Sequence, residues 1–299
     1  MGTTTAATSD TATSGAATST ATAAATAPPK ITRSEELPWL GDEHGAGVRV
    51  LALNPEAGWF TMLIKGRAGQ VNPPHTHIGG ASFYVLSGGF DYRGGSAREG
   101  DWVWEPAGSV HDATTHPVDT VYFGQIYGPV AFHNKEGRPP RMVDWLSTQR
   151  LVDRAAGGGP SHSGYDPLDA ALVRTGEAPW CDLAPGWRVQ VLRSCADTGH
   201  VHLLVRADAG SEVPARIHFG GAELFVLDGR LEVDGEVLAT GDHLLEPVGA
   251  RRGPLRAAVA STYLLSLYGA VAYLDGSGAV TEVFDHGRAE AMAAPAQAG

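Results

Sequence analysis

Residues 69–89, GQVNPPHTHIGGASFYVLSGG, and residues 100–111, GDWVWEPAGSVH, decide how this chain is read. In the first stretch His75 and His77 stand two residues apart beside a Gly-Gly step, and on a strand that spacing sends both rings to one face. In the second, glycines and a proline punctuate an apolar strand that closes on His111. The same punctuation returns 141 residues later without a gap. Gly69 recurs as Gly210, Gly79-Gly80 as Gly220-Gly221, Gly88 as Gly229, Gly100 as Gly241, Glu105-Pro106 as Glu246-Pro247, Gly108 as Gly249 and Tyr127-Gly128 as Tyr268-Gly269. Outward from there, Pro38-Trp39 recurs as Pro179-Trp180. A register held through residues that turns demand implies two copies of one domain.

Each copy reads as short alternating segments broken by Gly, Pro and Asp, such as FTMLIK and SFYVLSG in the first and VHLLVRA and ELFVLDG in the second. Asp234-Gly235, set between alternating apolar residues, is a hairpin signal. Strands at this spacing with few helical patterns predict an all-β sandwich or barrel. The expected organisation is a tail at 1–30, a metal-binding domain at 36–150, a Gly/Ser/Pro-rich linker at 151–175 and a second domain at 176–290. In residues 1–29, 20 are Thr or Ala and Asp10 is the only charge, a composition that cannot build a core and predicts a disordered leader.

The chain has 299 residues with 22 Lys+Arg against 33 Asp+Glu, a net charge of −11, which disfavours nucleic acid and anionic lipid as partners. No apolar run approaches the ~18 residues of a membrane span. Two cysteines, Cys181 and Cys195, are too few for a disulfide framework and lack activating neighbours, as expected of a cytoplasmic protein.

The two quoted stretches resemble the paired motifs of the cupin superfamily, G-x5-H-x-H-x3/4-E-x6-G and G-x5-P-x-G-x2-H. The second motif is complete, and the first departs at one position, where Ser82 replaces the Glu. The resemblance covers most of residues 36–290 and implies a bicupin, two tandem double-stranded β-helix (jelly-roll) barrels. It also implies His75, His77 and His111 as a facial metal triad. Imidazole ligands suit several ions, so ligand type alone does not choose the metal; the resemblance makes Fe(II) the leading expectation, with Zn, Ni, Mn and Cu open. His200-Val201-His202 repeats the H-x-H spelling but aligns with Trp59 and Thr61, outside the motif, and is not read as a metal site.

At the ligand positions the second copy carries Arg216, His218, Glu223 and Arg252. Guanidinium cannot ligate a cation. The second copy is therefore read as degenerate, with Arg216 or Arg252 paired to Glu223 in place of a metal; an anion held by the two arginines is the alternative.

Three neutral histidines leave a divalent ion with its full charge and open positions, which favours an anionic bidentate ligand such as a diketone enolate or an ionised hydroxyketone. Within cupins the three-His site is similar to that of acetylacetone dioxygenase and 2,4'-dihydroxyacetophenone dioxygenase, non-haem iron enzymes that break a carbon–carbon bond with O2. That resemblance implies catalytic roles for Glu105, six residues before His111, and for Arg93, which is positioned to pair with it. Relatives of that group are single cupins, so the second domain is a departure. Aromatic residues crowd the first copy, and alternation from Ser82 puts Tyr84 inward, lining the pocket, and Phe83 outward. His116 and His133 are read as exposed. The leading function is an oxygen-dependent carbon–carbon cleaving dioxygenase acting on a small molecule, as a monomer or homodimer. The alternatives are a metal-dependent isomerase or lyase with Glu105 or Tyr84 as base, and a non-catalytic zinc-binding regulatory cupin.

Overall fold

The computed structural model describes residues 28–41, 47–54, 58–93, 95–133 and 171–293. The tail at 1–27, most of the segment at 151–175 and any helix before it lie outside the described residues.

Two β-barrels follow one another, each a large antiparallel sheet facing two small ones. In the first, the strands Asp101–Glu105, Ala81–Ser87, Thr120–Ile126, Trp59–Gly66 and Gly47–Asn54 lie side by side in that order. In the second, Asp242–Glu246, Ala222–Asp228, Ser261–Leu267, Val201–Ala207 and Trp187–Ser194 repeat the order. The repeat read from the sequence is thus a repeat of topology, an all-β pair of jelly rolls in which the one α-helix among the described residues is short, His286–Ala293.

The barrels are tied by reciprocal strand exchange. Lys30–Arg33 pairs with Asp242–Glu246 of the second barrel, and Ala171–Arg174, at the same 141-residue offset, pairs with Asp101–Glu105 of the first. Each added strand ends on an arginine paired to the aspartate that opens its host, Arg33 to Asp242 and Arg174 to Asp101. The sequence boundaries are corrected accordingly. Residues 171–174, expected in the linker, belong to the first barrel's sheet, and the strand that begins at Lys30, where the tail was expected to end, belongs to the second's. Backbone pairing across the repeat won over the low-complexity look of the flanking sequence.

The large sheets also pack face to face. Leu51, Leu63, Trp102 and Phe123 of the first barrel meet Leu192, Leu204, Phe225 and Leu264 of the second, with Phe123 and Phe225 stacked at 4.6 Å. This packing fixes the phase of every strand in the sheet. Ala81, Phe83 and Val85 turn into the barrel, whereas Ser82 and Tyr84 turn toward the other copy.

The turn between the His-x-His strand and Ala81–Ser87 tolerates no side chain. A Cβ on Gly79 would fall 1.7 Å from the Tyr127 carbonyl oxygen, and one on Gly220 would fall 1.9 Å from that of Tyr268. Both obstacles are backbone, so Gly79→Ala is expected to destabilise the protein by about 3 kcal/mol. Denaturant titration checks this: a midpoint unchanged from wild type would contradict the close approach.

Candidate functional site

His75 and His77 sit on the short strand His75–His77, flanked by Ser109–His111 and Val130–Phe132. Both rings are buried, 8% and 3% exposed, and face one cavity with centroids 4.9 Å apart at 72°. His75 Nδ1 donates to the Pro73 carbonyl at 2.8 Å, which places the proton on Nδ1 and turns the Nε2 lone pair outward as a ligand atom. His111 lies directly opposite His75 in the ladder. Its side chain is outside the described residues, so among described side chains no group of three ligating residues is gathered. Two adjacent buried imidazoles, one with its tautomer set for ligation, and a third His opposite in register fit a divalent transition metal.

The cavity, about 380 Å³ of empty space out to its mouth, is walled by Phe83, Phe90, Tyr122 and Val103. At one side sits Glu105, 1% exposed. Arg93 donates to it through Nε at 3.3 Å and Nη2 at 2.8 Å, and Ser109 Oγ donates at 2.9 Å. The Tyr92 hydroxyl is also bonded to it. Burial first, and the neighbouring carboxylate second, push the Tyr92 phenol well above its usual range, so it stays a neutral donor. Burial alone would lower the Arg93 pKa; the bond and charge of Glu105 outweigh it and leave that pKa raised. Arg93 holds a positive φ of 48°, rare for a residue with a side chain, at the hairpin position that Asp234 occupies in the second barrel.

Several expectations are corrected. Tyr84 does not line the pocket: it packs at the barrel interface, and Phe83 turns inward, 5.6 Å from the His77 ring. The alternation was right but its phase was taken from Ser82, on the assumption that the motif's Glu position faces the metal. Here Ser82 donates to Gln125 on the interface face instead. Trp102, Trp104 and Phe123 likewise serve the interface, the two indoles packing on His202. His116, expected in the open, is 1% exposed; its ring abuts Gly66, and burial lowers its pKa so that it is neutral. His133 is half-buried and bonds Thr76 Oγ1 at 3.0 Å.

The expected pairing of Arg216 or Arg252 with Glu223 is overturned as well. Glu223 faces the interface, where Thr61 Oγ1, His243 Nε2 and Tyr268 Oη donate to it at 2.7, 2.8 and 2.8 Å. Burial would raise its pKa, but His243 and these hydroxyls hold the carboxyl below its ordinary range. The partner of both arginines is Glu246, the counterpart of Glu105, at 3.4 Å from Arg216 and 3.3 Å from Arg252. His218 Nε2 is 2.7 Å from the same carboxylate, and Arg252 also meets Asp234 at 2.8 Å. At corresponding positions, Glu105 and Glu246, each barrel therefore holds a buried carboxylate met by a cation. In the first the cation is Arg93, from the hairpin, and the ligand positions keep histidine. In the second the ligand positions supply the cations, and the hairpin supplies Asp234.

Sequence reasoning gave no separate role to Tyr92 or Ser109. Ser109 stands two residues before His111 on one strand, so the alternation that placed the histidines was sufficient to place it. Tyr92 carries no such signal in the sequence; only the hairpin geometry distinguishes it from the other aromatics of the first copy.

A model described as the ChrR cupin-like domain matches residues 28–131 and again 168–272. An acetylacetone-cleaving enzyme of Acinetobacter johnsonii is 24% identical over 128 residues, which is 40% of this chain and 84% of that one. Among solved structures, a candidate dioxygenase from Nostoc punctiforme aligns with a TM-score of 0.62 at 12% identity over 86% of both chains. Salicylate 1,2-dioxygenase from Pseudaminobacter salicylatoxidans aligns at 0.53 and 14% over 81% of this chain and 84% of that one. Oxalate decarboxylase of B. subtilis aligns at 0.52 and 14% over 80% and 77%. At such identities the structures speak for the fold alone, whereas the doubled family match falls on both barrels. The chain is a bicupin and belongs to the ChrR cupin-like domain family.

Proposed function

We propose that the first barrel is a non-haem iron(II) dioxygenase that cleaves a carbon–carbon bond of a 1,3-diketone or hydroxyketone. The observation that carries this reading is that no carboxylate takes the motif's Glu position: Ser82 stands there and turns to the interface, Phe83 faces the cavity beside His77, and Glu105, which lines the same cavity, already accepts from Arg93, Ser109 and Tyr92. The likeness to an acetylacetone-cleaving enzyme supports it.

An iron ion held by His75, His77 and His111 would supply Lewis acidity toward a chelating enolate and redox reactivity toward dioxygen. The chain's own residues prepare that chemistry. The Pro73 carbonyl fixes the His75 tautomer and ring angle. Phe83, Phe90 and Tyr122 present apolar ring faces and edges that suit a flat, delocalised substrate and exclude water. Glu105 has its lone pairs engaged and holds Arg93, Ser109 and Tyr92 in place; it serves as a positioning residue and not as a base. Cleavage balances without a reductant: a 1,3-diketone plus O2 has the composition of a carboxylic acid plus a 1,2-dicarbonyl, and an α-hydroxyketone plus O2 has that of two carboxylic acids.

Oxygen-electrode assays of iron-loaded protein with aliphatic diketones and aryl hydroxyketones test the reading. One acid per O2 consumed is expected from a diketone and two from a hydroxyketone; turnover of either substrate class under argon would sink it in favour of an isomerase or lyase. The role of Arg93 has its own test. Arg93→Leu is expected to cost about 1–3 kcal/mol, less than a fully buried pair because Arg93 is 26% exposed. It should also lower kcat roughly tenfold. Arg93→Lys should regain most of the stability but not kcat, because a point charge cannot reproduce the two-pronged contact. Equal recovery of both would reduce Arg93 to a structural residue.

A further inference from the structure

We propose that the second barrel is itself a binding compartment, for a compact neutral carbonyl compound such as a small ketone. Its interior holds a compact cavity walled chiefly by aliphatic side chains such as Leu203, Val213, Leu224 and Leu265. This cavity is separate from the candidate metal site and shares no residue with it.

Its polar groups specify the ligand. Trp187 is fully buried, lines the cavity, and has an indole N–H with no hydrogen-bond partner among the described residues. A buried donor left unpaired costs about 1–3 kcal/mol, so such a group calls for an acceptor. Tyr263 and Tyr273 line the same cavity, and burial keeps both phenols neutral and able to donate. The ionised residues Arg216 and Glu246 that line it belong to a cluster already balanced, Arg216 and Arg252 against Glu246 and Asp234. An added carboxylate would enter beside Glu246 with no cation to spare, which disfavours anions. A pure hydrocarbon would leave the Trp187 donor unmet. A carbonyl oxygen on a small apolar frame satisfies the donors and adds no charge.

The test uses the full chain labelled with nitrogen-15 at tryptophan indoles, titrated with cyclopentanone while the Trp187 Nε1–H resonance, identified by its loss in Trp187→Phe, is followed. A saturable shift is expected. Cyclopentane, of the same size but lacking the acceptor, should bind roughly three- to tenfold more weakly by calorimetry, the worth of about one hydrogen bond. Leu224→Phe, which fills the cavity, should abolish the shift. No saturable shift with cyclopentanone would overturn the proposal, and so would equal affinity for cyclopentane. Because the reporter sits in the second barrel, either result is independent of the activity proposed for the first. If Leu224→Phe fails to fold, the matched pair of probes still decides.

Discussion

His77→Ala is expected to lower oxygen uptake with a diketone by more than about 100-fold, since substitutions that merely reorient a ligand already cost 10–100-fold. The side chain is 3% exposed on a three-residue strand clamped on both edges, so its removal opens the cavity without disturbing the ladder. The control is His202→Ala. That residue belongs to the other H-x-H sequence, but it lies in the barrel interface with Nδ1 3.0 Å from Ser266 Oγ, and burial first, with His200 and Arg193 nearby, lowers its pKa to about 3. It should lose stability and keep its activity per folded molecule. Comparable oxygen uptake by His77→Ala and wild type would remove the first barrel from the chemistry.

Glu246→Ala is expected to destabilise the chain by about 3–5 kcal/mol, because Arg216 and Arg252, only 5% and 7% exposed, would be left without the carboxylate they share. Replacing the cluster together, as Arg216→Met, Arg252→Met and Glu246→Leu, should restore most of that loss, since a packed apolar set avoids desolvating any charge. The pH dependence carries the same signature. Burial would raise the Glu246 pKa, but His218 and the two arginines outweigh it and push the carboxyl down to about 2. A folded-state pKa below the unfolded one means the cluster's contribution is present above about pH 4.5 and is lost as pH falls toward 2. Calorimetric melting of wild type and variant across that range measures it: the gap between their midpoints should narrow with acid, and a constant gap would contradict the account.

The fold was legible because punctuation and alternation both repeat. Glycines at Gly79 and Gly220 mark where two backbones touch, and a repeat of such residues at one offset leaves little room for another architecture. The histidine strand and its partner at His111 followed from the same spacing. The phase of Ala81–Ser87 was not legible, since both faces of that strand are buried, one in the barrel and one against the other copy. Alternation gives a period but not an origin, and the assumed origin at Ser82 sent Tyr84, Phe83 and Glu223 to the wrong sides. The strand exchange was hidden for a different reason: KITR and ALVR are too short to announce a partner, and their pairing is fixed by the twofold relation between barrels.

One barrel of the two is proposed to carry a redox metal on three histidines, His75, His77 and His111. Elemental analysis of protein purified without a chelating tag, for wild type and for His111→Ala, tests it most directly. The account predicts about one iron ion per wild-type chain and its loss in the variant. Iron or zinc retained without His111, or two metal ions per chain, would contradict it.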